Sequence, residues 1–275
     1  MALTSLMACL HLDRPNGPVL SVARDLASLF KASVVGVAAR QADMHLSARA
    51  VGPAEPHSHE VSKFRHSAEA AQQEFRDAFP STSDLAWRAQ LTFGPASEFV
   101  AREARAADLV VVSTETSDHL IFPSGCAEPG DLLMRLGRPI LTAPPGVAGF
   151  KLGSALVCWK DSREARRAIS DAMPLLRRME RVDVVEIANP HALDDTKASL
   201  AQLSQWLAGH GVESNCEALT PAGTEAEQLG SIARERGVDL IVAGAFGHSR
   251  LREWAFGGVT RDLVLGAVCC VLASH

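Results

Sequence analysis

One pattern constrains this chain more than any other: a strand–helix alternation that occurs twice. The segment GPASEFVAREARAADLVVVS, residues 94–113, runs parallel to GTEAEQLGSIARERGVDLIVAG, residues 223–244. In the same way, GDLLMRLGRPILTA at 130–143 is matched by RDLVLGAVCCVLAS at 261–274. In each copy an amphipathic stretch leads into a short apolar run, the signature of a strand covered on both faces. Extended along the first half, the pattern predicts strands at 4–11, 33–38, 85–92, 108–113 and 139–143, with helices near 18–31, 60–79, 95–106 and 129–137. The second half predicts strands at 154–159, 182–188, 213–219, 239–243 and 268–273, with helices near 162–178, 191–210, 222–237 and 258–266. Such alternation yields parallel sheets wrapped by helices through right-handed crossovers. The expected fold is α/β: two doubly wound five-stranded parallel sheets, each in order 3-2-1-4-5.

The Pro- and Gly-bearing stretch APPGVAGFKLG, residues 143–153, suits a boundary and divides the chain into domains at 1–148 and 152–275. At the first helix of the second half, Asp161 and Glu164 form a capping-box-like D-x-x-E. Pro18 suits an early helical position in the first half. Residues 40–60, RQADMHLSARAVGPAEPHSHE, have no counterpart in the second half and read as a surface excursion.

A length of 275 residues accommodates two such domains, and 47% hydrophobic with 21% charged residues is an ordinary globular balance. The net charge of −5 argues against a nucleic-acid or anionic-membrane binder. No apolar run approaches the roughly 18 residues of a membrane span. The N-terminus lacks a basic region and turns polar at His11, so no signal peptide is expected and the location read from the chain is cytoplasmic. Cys9, Cys126, Cys158, Cys216, Cys269 and Cys270 form no CxxC pair and read as reduced thiols, with Cys9, Cys158 and Cys270 inside apolar strands. Strand alternation sends Cys269 and Cys270 to opposite faces, against a vicinal redox pair.

The chemistry concentrates in DLIVAGAFGHSRLREWAFGGVTRDLV, residues 239–264. A buried strand ends at Gly244, Gly247 follows, and Gly257 and Gly258 precede Val259 and Thr260 at the start of a helix. Glycine after a strand permits a sharp turn and close approach of a ligand to the backbone. Glycines before a helix leave its free N–H groups and positive dipole end open to a phosphate. Both clusters fall at the carboxyl end of a parallel sheet, where open α/β sheets bind ligands. The bland alternative is that the loop's backbone path alone requires the glycines.

On these residues the chain resembles the universal stress protein family, in which nucleotide-binding members carry G-x2-G-x9-G followed by Ser or Thr. Gly244, Gly247 and Gly257 match the spacing, and Val259 and Thr260 match the usual continuation. ALVCWKDSREARRAI, residues 155–169, resembles the family's first strand and helix start. The resemblance implies an adenine-nucleotide α-hydrolase-like fold and a nucleotide such as ATP bound at Gly244, Gly247, His248, Gly257, Gly258, Val259, Thr260 and Lys160. It also implies pairing of the two final strands into an intramolecular pseudo-dimer, with a homodimer of such chains as a further assembly. Two positions depart from the pattern: Gly258 stands where the family has Ser, and Lys160 where binders have an Asp. The first half has lost the spacing, with Ser113 and Thr116 at the positions of Gly244 and Gly247, and Cys126 and Ala127 at those of Gly257 and Gly258. Its Asp13 either mimics the family's Asp or serves a turn before Pro-Asn-Gly.

Other signals are weaker. His45, His57, His59, Glu60 and His66 crowd the 40–60 region, but their irregular spacing and lack of a cysteine leave no metal expected. His248, Arg250 and Arg252 either complement a phosphate or form a solvated rim. Trp254 reads as an anchor for its loop. No G-x-S-x-G, G-x4-G-K-[ST] or H-E-x-x-H occurs, and the Asp161–Ser162 pair belongs to a helix start. The expected role is therefore regulatory ligand binding by the second half. A ligand-free interaction scaffold is the alternative, and a slow ATPase the least supported.

Overall fold

In a computed structural model the described residues are 2–42, 55–80, 82, 85–114, 127, 129–245, 262–264 and 266–275, with the backbone alone described at 55–58. The first half runs β1 (Ser5–Leu10), α1 (Gly17–Phe30), β2 (Ser33–Gln41), α2 (Glu55–Ala78), β3 (Ala86–Thr92), α3 (Ala96–Glu103), β4 (Leu109–Ser113), α4 (Pro129–Leu136) and β5 (Ile140–Ala143). The second continues with β6 (Ser154–Cys158), α5 (Arg163–Leu176), β7 (Arg181–Ile187), α6 (Leu193–Gly209), β8 (Asn215–Leu219), α7 (Glu225–Glu235), β9 (Leu240–Gly244) and β10 (Cys270–Ser274).

The strands form one ten-stranded sheet in the order β3-β2-β1-β4-β5-β10-β9-β6-β7-β8. Each half has the 3-2-1-4-5 order and is parallel throughout. The halves meet where β5 and β10 pair antiparallel, Leu141 opposite Leu272. This pairing joins what would otherwise be two exposed sheet edges, the configuration that invites aggregation.

The seam is more than a strand pair. One apolar cluster extends through it, containing Val22 and Leu26 of α1, Leu141 of β5, Leu272 of β10 and Ile169 and Met173 of α5. Arg178 at the end of α5 donates to the Leu29 carbonyl at 2.9 Å, and its guanidinium lies 4.6 Å from the centre of the Phe30 ring. The connection predicted as a linker is itself packed: Val147 and Phe150 lie against this core, and the Phe150 N–H donates to Asp25 at 2.9 Å. The opposite face of the sheet carries separate cores, one under α3 and α4 and one under α7. Cys270 belongs to the shared core and Cys269 to the one under α7, the opposite faces expected from strand alternation.

The repeat is also written in polar contacts. Asp108, just before β4, accepts from the Thr4 and Ser5 N–H groups at 2.8 and 3.0 Å, tying down the start of β1. Asp239, its counterpart before β9, accepts from the Ser154 N–H at 3.0 Å at the start of β6. Burial pushes the Asp108 carboxyl up, but the Thr4 and Ser5 hydrogen bonds and the Arg138 charge outweigh it and hold the group below its usual range.

Local differences from the sequence expectation have identifiable causes. β2 extends to Gln41 and α2 begins at Glu55, so the predicted excursion is partly helical, with His59, Glu60 and His66 on α2. Pro18 occupies the first turn of α1 as expected. The cap of α5 is Ser162, whose hydroxyl accepts from the Ala165 N–H at 3.2 Å. Asp161 is displaced from that role and pairs with Arg166. No helix of the described residues is long and apolar enough to cross a membrane.

Candidate functional site

The carboxyl ends of β6, β7 and β9 bring together Cys158, Lys160, Glu186 and Gly244. Of the residues singled out from the sequence, Gly244 and Lys160 are described; Gly247, His248, Arg250, Arg252, Trp254, Gly257, Gly258, Val259 and Thr260 lie outside the described residues, as do His45, Thr116 and Cys126.

Gly244 ends β9 directly beneath the first turn of α5. A Cβ there would lie 2.5 Å from the Ala165 nitrogen and 2.6 Å from the Glu164 carbonyl carbon. Both neighbours are helix backbone and cannot rotate away, so glycine is required here by packing, whatever the loop beyond it binds. Lys160 is exposed just beyond β6. It is close enough to Glu186 to favour that group's carboxylate form. Burial works in the opposite direction and prevails, aided by Asp161 and Glu225, so the Glu186 carboxyl titrates above its ordinary value.

Register places a row of residues across this edge. Cys158 of β6 is aligned with Val185 of β7 and Ala243 of β9, while Gly244 is aligned with Ser274 of β10. The next row therefore holds Glu186, Trp159, Gly244 and Ser274 in lateral sequence. Trp159 Nε1, Glu186 Oε2 and Ser274 Oγ are buried there without a hydrogen-bond partner among the described residues. A donor, an acceptor and a hydroxyl thus stand unsatisfied along one edge, a pattern more common at functional sites than in plain cores. Sequence reading missed Glu186 and Trp159 because each looks like an ordinary strand residue until register sets them side by side.

One carboxylate is stabilised at the helix start. Glu164, buried at 8% exposure, ion-pairs with Arg163 at 3.1 Å. Burial raises its carboxyl, but hydrogen bonds from its own backbone and from the Arg163 and Ser162 side chains hold it below the ordinary value. The thiols are inert by contrast: burial raises Cys158 strongly and Cys270 to about 12, while Cys269 rises to about 11. A thiol so protonated is a poor nucleophile.

The corresponding edge of the first half is built differently. Asn16, 2% exposed, accepts from the His11 N–H at 2.7 Å and donates to the His11 carbonyl at 3.1 Å and Glu74 Oε2 at 2.9 Å. Its own N–H donates to Glu74 Oε1 at 2.7 Å. Glu74 comes from α2, so a pair 58 residues apart closes the loop over β1. Asp13 pairs with its neighbour Arg14 at 3.4 Å and lies 4.0 Å from His11, the turn role rather than a free acceptor. Ser113 and Ala127 border a small crevice with Cys9 and His11. Among the described residues, no group of three or more His, Cys, Asp or Glu is placed to hold a metal ion.

These features define an α/β protein with the adenine-nucleotide α-hydrolase-like fold. The sequence profile described as Universal stress protein family matches residues 153–275, the second half of the chain. No curated protein sequence matches the chain. Among solved structures, a universal stress protein from Archaeoglobus fulgidus DSM 4304 is similar over 98% of this chain and 97% of its own, with a TM-score of 0.72 at 12% identity. A putative universal stress protein from Pseudomonas aeruginosa UCBPP-PA14 covers 99% of this chain and 93% of its own at TM-score 0.61 and 14% identity. A functionally unknown protein from Pseudomonas aeruginosa PAO1 does so at 99% and 92%, with TM-score 0.60 and 14% identity. At these identities the likeness concerns the fold, and it extends over both halves.

Proposed function

We propose that the protein is a cytoplasmic stress-response regulator that binds an adenine nucleotide through its second half, residues 152–275, while the first, residues 1–148, serves as a degenerate partner. The observation that carries this reading is a coincidence of position. The family profile falls on 153–275, the half that holds the Gly244, Gly247 and Gly257 spacing. Backbone N–H groups of such a loop supply phosphate contacts, and binding would act by shifting the loop's population rather than by bond breaking.

A ligand-free scaffold is the second reading, and Gly244 favours it, since packing against α5 accounts for that glycine without a ligand. The two are separated by mass spectrometry of nucleotide released from the purified chain, followed by calorimetry with ATP, ADP and AMP. Saturable binding that is lost in Gly257→Val supports the regulator; no binding at millimolar nucleotide supports the scaffold. Time-dependent ADP production abolished by Gly247→Val would instead make the protein an ATPase. Lys160→Asp restores the carboxylate the family's binders carry, and is expected to raise nucleoside affinity about tenfold through one charge-assisted hydrogen bond.

A further inference from the structure

On the face of the sheet away from the shared core, α3 and α4 of the first half have counterparts in α7 and the helical residues 262–264 and 266 of the second, and the two places are closed in different ways. In the first half, α3 and α4 are held by a polar clasp. The Ser97 hydroxyl donates to Asp131, Arg135 Nε donates to Asp131 at 2.7 Å, and Arg135 Nη1 reaches Glu98 at 3.5 Å. One guanidinium is thus gripped by two carboxylates from different helices.

The second half keeps the carboxylates and has a glycine at the arginine's position. Matching 94–98 to 223–227 and 130–143 to 261–274 places Glu227 at the position of Glu98 and Asp262 at that of Asp131. Ser97 becomes Ala226 and Arg135 becomes Gly266. The helical positions agree in packing as well: Ser97 and Ala226 are both buried, and Leu132 and Leu263 each lie in their half's core. A cavity of about 360 Å³ opens here, lined by Glu227, Asp262, Gly266, Ile241, Val268 and Arg234 among others. A Cβ added at Gly266 would meet nothing within 4 Å, so a side chain could start from the position that Arg135 holds in the first half. Arg234 does not replace it: its guanidinium hydrogen-bonds the Ser231 hydroxyl at 3.2 Å, one turn back on α7. Glu227 accepts from the Thr224 hydroxyl at 2.6 Å through one oxygen, and its other oxygen remains for a second donor.

We propose that this cavity binds a small organic cation, a guanidinium or primary amine on a short apolar chain, with its charged head between Asp262 and Glu227 and its chain against Ile241 and Val268. The volume falls within the range of small-molecule sites, and apolar walls with a few convergent polar groups are their usual lining. The head group is chosen by the clasp in the first half, where the equivalent carboxylates already hold one. The proposal is independent of nucleotide binding, because none of these residues belongs to the glycine loop.

The test uses the full chain and calorimetry, or saturation-transfer NMR, with n-butylguanidinium and n-butylamine against the neutral 1-butanol and anionic butyrate. Both cations are expected to bind saturably, and at least about tenfold more tightly than the other two, the margin of one charge-assisted hydrogen bond. Asp262→Asn should weaken the cations about tenfold, whereas Asp131→Asn should leave their binding unchanged. Gly266→Arg, which restores a guanidinium in cis, should abolish binding; should that variant fold poorly, Asp262→Asn with an unaltered circular dichroism spectrum decides the matter. Equal binding of 1-butanol, indifference to Asp262→Asn, or no binding of either cation would each overturn the proposal, the last even if a protein partner's arginine occupies the cleft. Gly247→Val should not alter the result, which separates it from the fate of the nucleotide site.

Discussion

The two halves share a strand order and differ in how the carboxyl edge of each sheet is finished. In the first half the loop after β1 is long, residues 11–16, and is fastened from outside by Glu74 reaching Asn16. In the second the loop is short, residues 159–162, and α5 starts so close to the sheet that only glycine fits at 244 beneath it. One edge is closed by a buried polar network and the other by backbone contact, with Trp159, Glu186 and Ser274 left holding unsatisfied polar atoms. The lesson is that a repeat conserves the scaffold because the sheet needs it, while the edge, which the sheet does not need, is free to diverge.

The sharpest way to break this comparison is at Gly244. Gly244→Val is expected to destabilise the chain by about 3 kcal/mol or more, since the added carbons meet helix backbone rather than a movable side chain. Ser113→Val, at the matching position of the first half, should cost far less, and urea unfolding of the two variants makes the contrast. Next in size, Asn16→Ala removes four side-chain hydrogen bonds from a buried site, among them the one to Glu74 Oε2, and leaves only the backbone N–H on Glu74. It should cost about 2–3 kcal/mol, and Asn16→Asp should not restore the loss because Asp cannot donate to Glu74.

Ser162→Ala sharpens the helix-start difference. It removes the cap of α5 and should cost about 1 kcal/mol in the same unfolding assay, while Asp161→Ala, which breaks only an exposed pair, should stay within about 0.5 kcal/mol. The smallest effect belongs to Glu186. Its folded carboxyl titrates above the unfolded one because burial disfavours the charge, so protonation stabilises the fold. That stabilisation is complete below the unfolded value and is lost as pH rises through the raised folded value. Glu186→Gln should therefore gain stability over the parent at neutral pH, by less than about 1 kcal/mol at this partly exposed position, and the gain should vanish in acid. A gain that is independent of pH would mean the charge is already compensated.

Much of the fold was legible because its signals are local. The apolar runs at 109–112 and 240–243 read as covered strands, and the matched segments around them show that the strand–helix order repeats. The Asp161–Glu164 cap was misread for an instructive reason: Asp and Ser are both strong caps, and the choice of Ser162 depends on where the chain leaves β6, which a sequence pattern does not specify. Lys160 and Gly244 could be named from the motif, but the motif explains Gly244 by a ligand where the structure supplies a helix.

By itself the sequence determined the two-fold strand–helix order, the parallel sheets and the half that keeps the glycine spacing, because periodicity and turn chemistry act over a few residues. The antiparallel β5–β10 seam was implied by resemblance and realised in the structure through a core that neither half completes alone. Only tertiary structure decided that Glu74 closes the loop at Asn16, that α5 excludes a side chain at residue 244, and that Asp262 and Glu227 border an open cavity where Asp131 and Glu98 grip an arginine. Each of these depends on two segments distant in the chain arriving within a few ångströms, and that distance is set by how whole layers pack.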